Sequence, residues 1–212
     1  MRFSLIVVFL FLTISMYSQE EISAFKVEMI NKEKAEFKSD YNAFKHRSDF
    51  FYEDENYVVK DYCRGEFGGT IEFHNKETHK VYVTKATCPS SLIKMNGKYY
   101  LTTSLAHMSG FSGIYEISDP ENLTELRESD SKKDKFFKKK SVLGLKKLYS
   151  NIGGTILLSF LYEDKLYFIK SDSGGTYLVE RKESELVRIM KLLDFKVYTY
   201  ETEIKITDDL HY

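Results

Sequence analysis

Ser173 stands in the run Asp172-Ser173-Gly174-Gly175, at the repeat position that Gly68-Gly69 and Ser112-Gly113 also occupy. A serine nucleophile needs a base and a group to orient that base, and the chain supplies His107 and Asp119 upstream in a workable order. The chemistry would be acyl transfer. A second set is Glu72, His74 and His79: Glu72 and His74 share one strand face, and a hairpin would have to fold His79 across to complete a zinc-like site of two imidazoles and a carboxylate. The five-residue step between the histidines straddles a turn, and no H-E-x-x-H spacing supports it. Metal binding therefore ranks behind a polar sheet face. The third set, Tyr99, Tyr100, His107, Met108 and Phe111, does binding rather than catalysis, because aromatic and polar side chains around a long inter-strand connection suit a sugar or a peptide. Read without a ligand, His107 is a packed histidine bonded to backbone.

The strip Lys132–Lys147 holds eight lysines against the single acid Asp134, interleaved with Phe136, Phe137, Val142, Leu143 and Leu145. Its chemistry is contact with anions, a polymer or a headgroup surface. Arginine is absent from it, which argues against forked recognition of phosphate. The competing reading is a solvated loop with a short helix whose apolar residues tuck onto the sheet.

Cys63 and Cys88 are the only cysteines and read as a disulfide, with two buried thiols as the alternative and a catalytic thiol at Cys88 as the remote one. Closing that loop would contribute about 3 kcal/mol on the chain-entropy model.

These residues hang on a threefold repetition. Asn56-Tyr57-Val58-Val59 leads through Gly68-Gly69 to Thr70-Ile71-Glu72-Phe73 and Val81-Tyr82-Val83. The order returns from Lys98-Tyr99-Tyr100-Leu101 through Ser112-Gly113 to Leu123-Thr124-Glu125-Leu126, and again from Lys165 through Gly174-Gly175 to Leu186-Val187-Arg188-Ile189. The step from Gly69 to Gly113 is 44 residues and that from Gly113 to Gly175 is 62, the excess matching the lysine-rich insertion 131–147. Units at about 53–88, 89–130 and 152–192 follow, each of three strands with one packed and one wetter face. One unit cannot bury its apolar face alone, so the units must stack.

The unit resembles a β-propeller blade. Gly69-Thr70-Ile71-Glu72-Phe73-His74-Asn75-Lys76-Glu77-Thr78-His79-Lys80-Val81 is similar to the hairpin joining the outer strands of WD40 blades, without their Trp-Asp pair. Ile114-Tyr115-Glu116-Ile117-Ser118-Asp119-Pro120-Glu121-Asn122-Leu123 resembles the strand and turn of extracellular propeller repeats. The resemblance implies an all-β fold of antiparallel three- to four-stranded sheets, about four blades, the fourth joined from Phe25–Ile30 and Lys196–Ile206; an open meander or sandwich is the alternative. It implies no activity. Asp172-Ser173-Gly174-Gly175 also resembles the nucleophile segment of trypsin-like serine proteases, but the flanking Ser171 and Thr176 depart from it. The 66 residues between His107 and Ser173 are too few for that fold's two barrels, and a hairpin turn accounts for the glycines.

Arg2 followed by the apolar run Phe3 to Leu12 and small or polar residues to Gln19 predicts a signal peptide over 1–18, leaving one β-rich domain over 19–212. Within it, Phe25, Val27 and Met29 alternate as a strand, and Phe37, Tyr41 and Phe44 fall at helical spacing. A net charge of -1 excludes an overall field drawing the chain to nucleic acid, and no other apolar run is long enough to span a membrane. The expectation is an exported, periplasmic or extracellular protein without cofactor that binds a glycan or protein ligand at a loop rim. A secreted hydrolase and a structural partner in a cell-surface complex are the rival classes.

Overall fold

The computed structural model describes residues 51–197, and within them the chain is all-β with one short α-helix. The expected signal peptide, the strand and helix before Phe51, and nearly all of the fourth blade lie outside the described residues. The first sheet is an antiparallel meander of β1 (Tyr52–Glu53), β2 (Tyr57–Cys63), β3 (Gly69–Asn75) and β4 (Val81–Lys85). The second holds β5 (Pro89–Met95), β6 (Lys98–Leu105) and β7 (Phe111–Ile117). From β7 the chain crosses to the first sheet, adds β8 (Thr124–Leu126) beside β4, forms helix α1 (Lys132–Lys138), and returns as β9 (Lys146–Ile152) to complete the second sheet beside β7. The third sheet is the meander β10 (Gly154–Tyr162), β11 (Lys165–Asp172), β12 (Gly175–Lys182) and β13 (Glu185–Leu193).

Alternation along these strands builds the core. Val59, Phe73 and Tyr82 are register partners across β2, β3 and β4, so they point to the same side and are buried together. They meet Leu92, Tyr99, Leu101 and Ile117 from one face of the second sheet. Edge-to-face rings hold this junction, with Phe73 and Tyr99 centroids 5.3 Å apart. The other face of the second sheet supplies Ile114 to a second core with Ile156, Phe168, Tyr177 and Val179 of the third. Thr102 and Ser159 hydroxyls bond across it at 2.8 Å. Full burial of Phe73 and Phe168 is worth about 2–3 kcal/mol each. The middle sheet is thus packed on both faces, and the three sheets stack in sequence order.

Two details differ from the sequence reading. Each sheet carries one strand before the tyrosine-bearing one that the three-strand unit did not name, β1, β5 and β10, the last two within the expected bounds 89–130 and 152–192. And Leu123–Leu126, expected to close the second unit, pairs instead with β4 of the first sheet, through Val81 to Leu126 and Val83 to Thr124. A strand edge with unpaired N–H and C=O groups needs cover, and β8 covers β4 while β9 covers β7. The backbone also explains the marker glycines: a Cβ at Gly69 would run into the carbonyls of Tyr62 and Ala86, and one at Gly175 into that of Leu193. Tyr57, Tyr100 and Tyr167 all lie on the second strand of their meander, opposite Asn75, Glu116 and Glu180. Tyr100 and Tyr167 are each the third residue of their strand and Tyr57 is the first of its own, so strand order repeats and residue position repeats only in part.

Candidate functional site: a basic and aromatic cleft

The connection between β2 and β3, residues 64–68, forms a 3-10 turn at Gly65–Phe67, and a disulfide from Cys63 to Cys88 ties its base to the start of the second sheet. The expected pairing is present, with the Cα atoms 4.3 Å apart. Beside this turn α1 contacts the edge strand β8 of the first sheet, and Lys139 just after it reaches Glu72 on that sheet. Ser131 caps the helix by accepting from Asp134 N–H, and Lys138 anchors it to Asp130 at 2.6 Å. The segment following the helix is stitched on at Ser141, whose carbonyl accepts from Lys85 N–H and whose hydroxyl accepts from Thr124.

Between helix and sheet opens a cleft of about 410 Å³, lined by ten residues. Tyr62, Phe67 and Phe136 form aromatic walls, Gly68, Gly69 and Thr70 the backbone floor, and Arg64, Lys85, Lys139 and Lys140 bring four cations. None of the ten is acidic. At its margin Glu72 is buried, 5% exposed, and Lys139 Nζ lies 2.7 Å from its carboxylate while passing over the Tyr62 ring. Lys140 Nζ sits 4.0 Å above the Phe136 ring. Arg64 and Lys85 have no ion-pair partner among the described residues.

The sequence-predicted rim residues divide. Tyr99 and Tyr100, expected at the rim, are buried at 3% and 9% exposed: Tyr99 donates to Asp54 inside the first junction and Tyr100 reaches Glu116 on the opposite face. Neighbours on a strand point to opposite sides, so the pair cannot form one surface. His107 and Met108 are exposed on the β6–β7 connection, with Phe111 half-buried where β7 starts. His107 is not packed against backbone; its Nδ1 lies 3.1 Å from Glu66 of the 3-10 turn. That pair joins the rim to the cleft, and the residues flanking it in the chain, Phe67 at 82% and Met108 at 84%, are the most exposed large apolar side chains described.

The catalytic candidates are not assembled. Ser173 sits at the exposed tip of the β11–β12 hairpin, where Asp172 accepts from Gly174 N–H at 2.9 Å, and Ser173 has no hydrogen bond to His107 or Asp119. Asp119 instead caps the 3-10 turn Pro120–Asn122 by accepting from Glu121 N–H. Asp172 is further held by Lys170 and Arg188, each at 3.3 Å. Of the metal candidates, Glu72 and His74 approach to 3.5 Å, and burial pushes the His74 imidazole below its ordinary value against the pull of Glu72. His79 lies in the exposed β3–β4 turn, and no group of three or more His, Cys, Asp or Glu side chains among the described residues is placed to hold a metal.

Arg64, Tyr62, Phe67 and Lys85 were not singled out by sequence reasoning. The signal was present in Tyr62-Cys63-Arg64-Gly65-Glu66-Phe67-Gly68-Gly69, a cation and two aromatics pinned between a cysteine and a glycine pair. Compared with protein-family models, with curated proteins and with solved structures, the chain matches none.

Proposed function

We propose that this is an exported, non-enzymatic binding protein of propeller type, and that its glycan or protein ligand seats in the cleft between α1 and the first sheet and extends over the rim at His107, Met108 and Phe111. The observation that carries the reading is the gathering of exposed aromatic and apolar side chains at one end of the sheets. Tyr62, Phe67 and Phe136 wall the cleft, Met108 stands on the adjoining loop, and the Glu66–His107 pair links the two. Three stacked antiparallel sheets, each built round a four-stranded meander or its equivalent, support the propeller part of the reading. The disulfide supports an oxidising compartment, and no described helix is long and apolar enough to cross a membrane.

The test is capture on an array of glycans and proteins by the full chain and by the Tyr62→Ala/Phe67→Ala variant. Both residues are exposed, so folding should survive, with the urea midpoint as control. The variant should lose capture at least tenfold. Equal capture by both chains would contradict the assignment of the site.

A further inference from the structure

We infer that the ligand is an acidic carbohydrate, one carrying carboxylate or sulfate groups on its sugar rings. This inference rests on the cleft being the ligand seat, and it adds the ligand's charge and chemical class. Four cations line the cleft and no acid does, although the chain as a whole carries more acidic than basic residues, 32 against 31. Such segregation is local and must be answered locally. Lys139 is engaged by the buried carboxylate of Glu72, which leaves Arg64, Lys85 and Lys140 to act outward. Low-dielectric walls of Tyr62, Phe67 and Phe136 focus their field into the opening.

Arg64 changes what the lysine strip alone could do. The strip has no arginine, but Arg64 of the β2–β3 turn lines the same cleft as Lys139 and Lys140, and its planar fork matches a carboxylate or sulfate through two parallel hydrogen bonds. The remaining surface is aromatic, and flat rings stack on the C–H faces of sugars while leaving the hydroxyls in water. A volume of about 410 Å³ admits one or two rings of a polymer that continues past the Phe67 rim, and is far too confined for a duplex. A peptide made of acidic residues alone would use the cations but offers no ring or apolar face to the three exposed aromatic walls.

The test is isothermal titration of the full chain with polygalacturonate, alginate, hyaluronate and chondroitin sulfate, with carboxyl-reduced polygalacturonate as neutral control and poly-L-glutamate as the peptide polyanion. At least one acidic glycan should bind, carboxyl reduction of the polygalacturonate should weaken it at least tenfold if that is the one, and chondroitin sulfate against hyaluronate separates sulfate from carboxylate. Arg64→Gln/Lys85→Gln and, separately, Tyr62→Ala/Phe136→Ala should each lower that affinity at least tenfold with the urea midpoint unchanged. No binding by any acidic glycan overturns the inference. So does poly-L-glutamate binding as tightly with the aromatic variant unaffected, which would make the cleft a simple cationic patch. Capture of a neutral glycan or a protein that the aromatic variant loses and the charge variant keeps overturns the acidic class while leaving the cleft as the ligand seat.

Discussion

The junction between the first and second sheets is closed differently at its two ends. At one end Asp54, in the turn before β2, accepts from Tyr99 at 2.5 Å, from Lys94 at 3.0 Å and from the backbone N–H groups of Asn56 and Tyr57 at 2.9 Å each. At the other end the closure is covalent, Cys63 to Cys88, with the solvent-facing Glu66–His107 pair beside it. At the first end Asp54, Glu55 and Lys94 answer one another and Lys76 answers Glu53. At the disulfide end Arg64 and Lys85 have no ion-pair partner among the described residues, and that contrast separates charges that hold the fold from charges proposed to face a ligand. The covalent link lets the second end stay electrostatically open, because sheet closure there does not depend on charge pairing.

The largest expected effect comes from the disulfide. Cys63→Ser/Cys88→Ser should lower stability by about 3 kcal/mol on the chain-entropy model, read as a fall in urea midpoint, and reductant should do the same to the native chain. An unmoved midpoint would remove the covalent closure from the comparison. Next, Asp54→Asn should cost about 2 kcal/mol, since it takes the charge from a buried acceptor that Lys94 and Tyr99 still face. The same variant should bind its ligand normally once folded. A binding defect in Asp54→Asn equal to that of Arg64→Gln would mean the two ends are not separate.

The Asp54 end also sets an acid dependence. Burial alone would raise the Asp54 carboxyl, yet the Tyr99 hydroxyl, the Tyr57 N–H and Lys94 together hold it below the ordinary aspartate value. A carboxyl lowered on folding stabilises the native state above its ordinary range, and that contribution is lost as pH falls through its native value. Urea midpoints should therefore drop in the acid range for the native chain and drop less for Asp54→Asn. Parallel curves would show that Asp54 is not the group responsible. The smallest effect is at the open end: Glu66→Gln breaks only a surface pair with His107 and should change stability by no more than about 1 kcal/mol.

How far the sequence led can be seen in the same two ends. Period-two alternation in Thr70–His74 and the glycines at 69 and 175 marked the hairpins, because local backbone crowding leaves its trace in local residue choice. The disulfide followed from two cysteines and the signal-peptide pattern. The exchange of β8 and β9 between sheets did not show, since edge pairing is a contact between distant segments and three residues of β8 carry no distinguishing pattern. Tyr99 and Tyr100 misled for a related reason: aromatic residues serve a core and a binding rim equally well, and only neighbouring sheets decide which. The cleft was invisible as a unit because it is assembled from 62–70, Lys85 and 136–140, though the lysine strip gave half of its charge.

The proposed ligand is expected at the disulfide end and not at the Asp54 end. Amide hydrogen exchange with and without the tightest-binding glycan of the panel reads this directly. Protection should rise across residues 62–70 and 136–140 and stay unchanged at 54–57 and 94–99. Protection confined to the Asp54 end, or absent from the cleft residues, would contradict the claim that the unanswered cations mark the site.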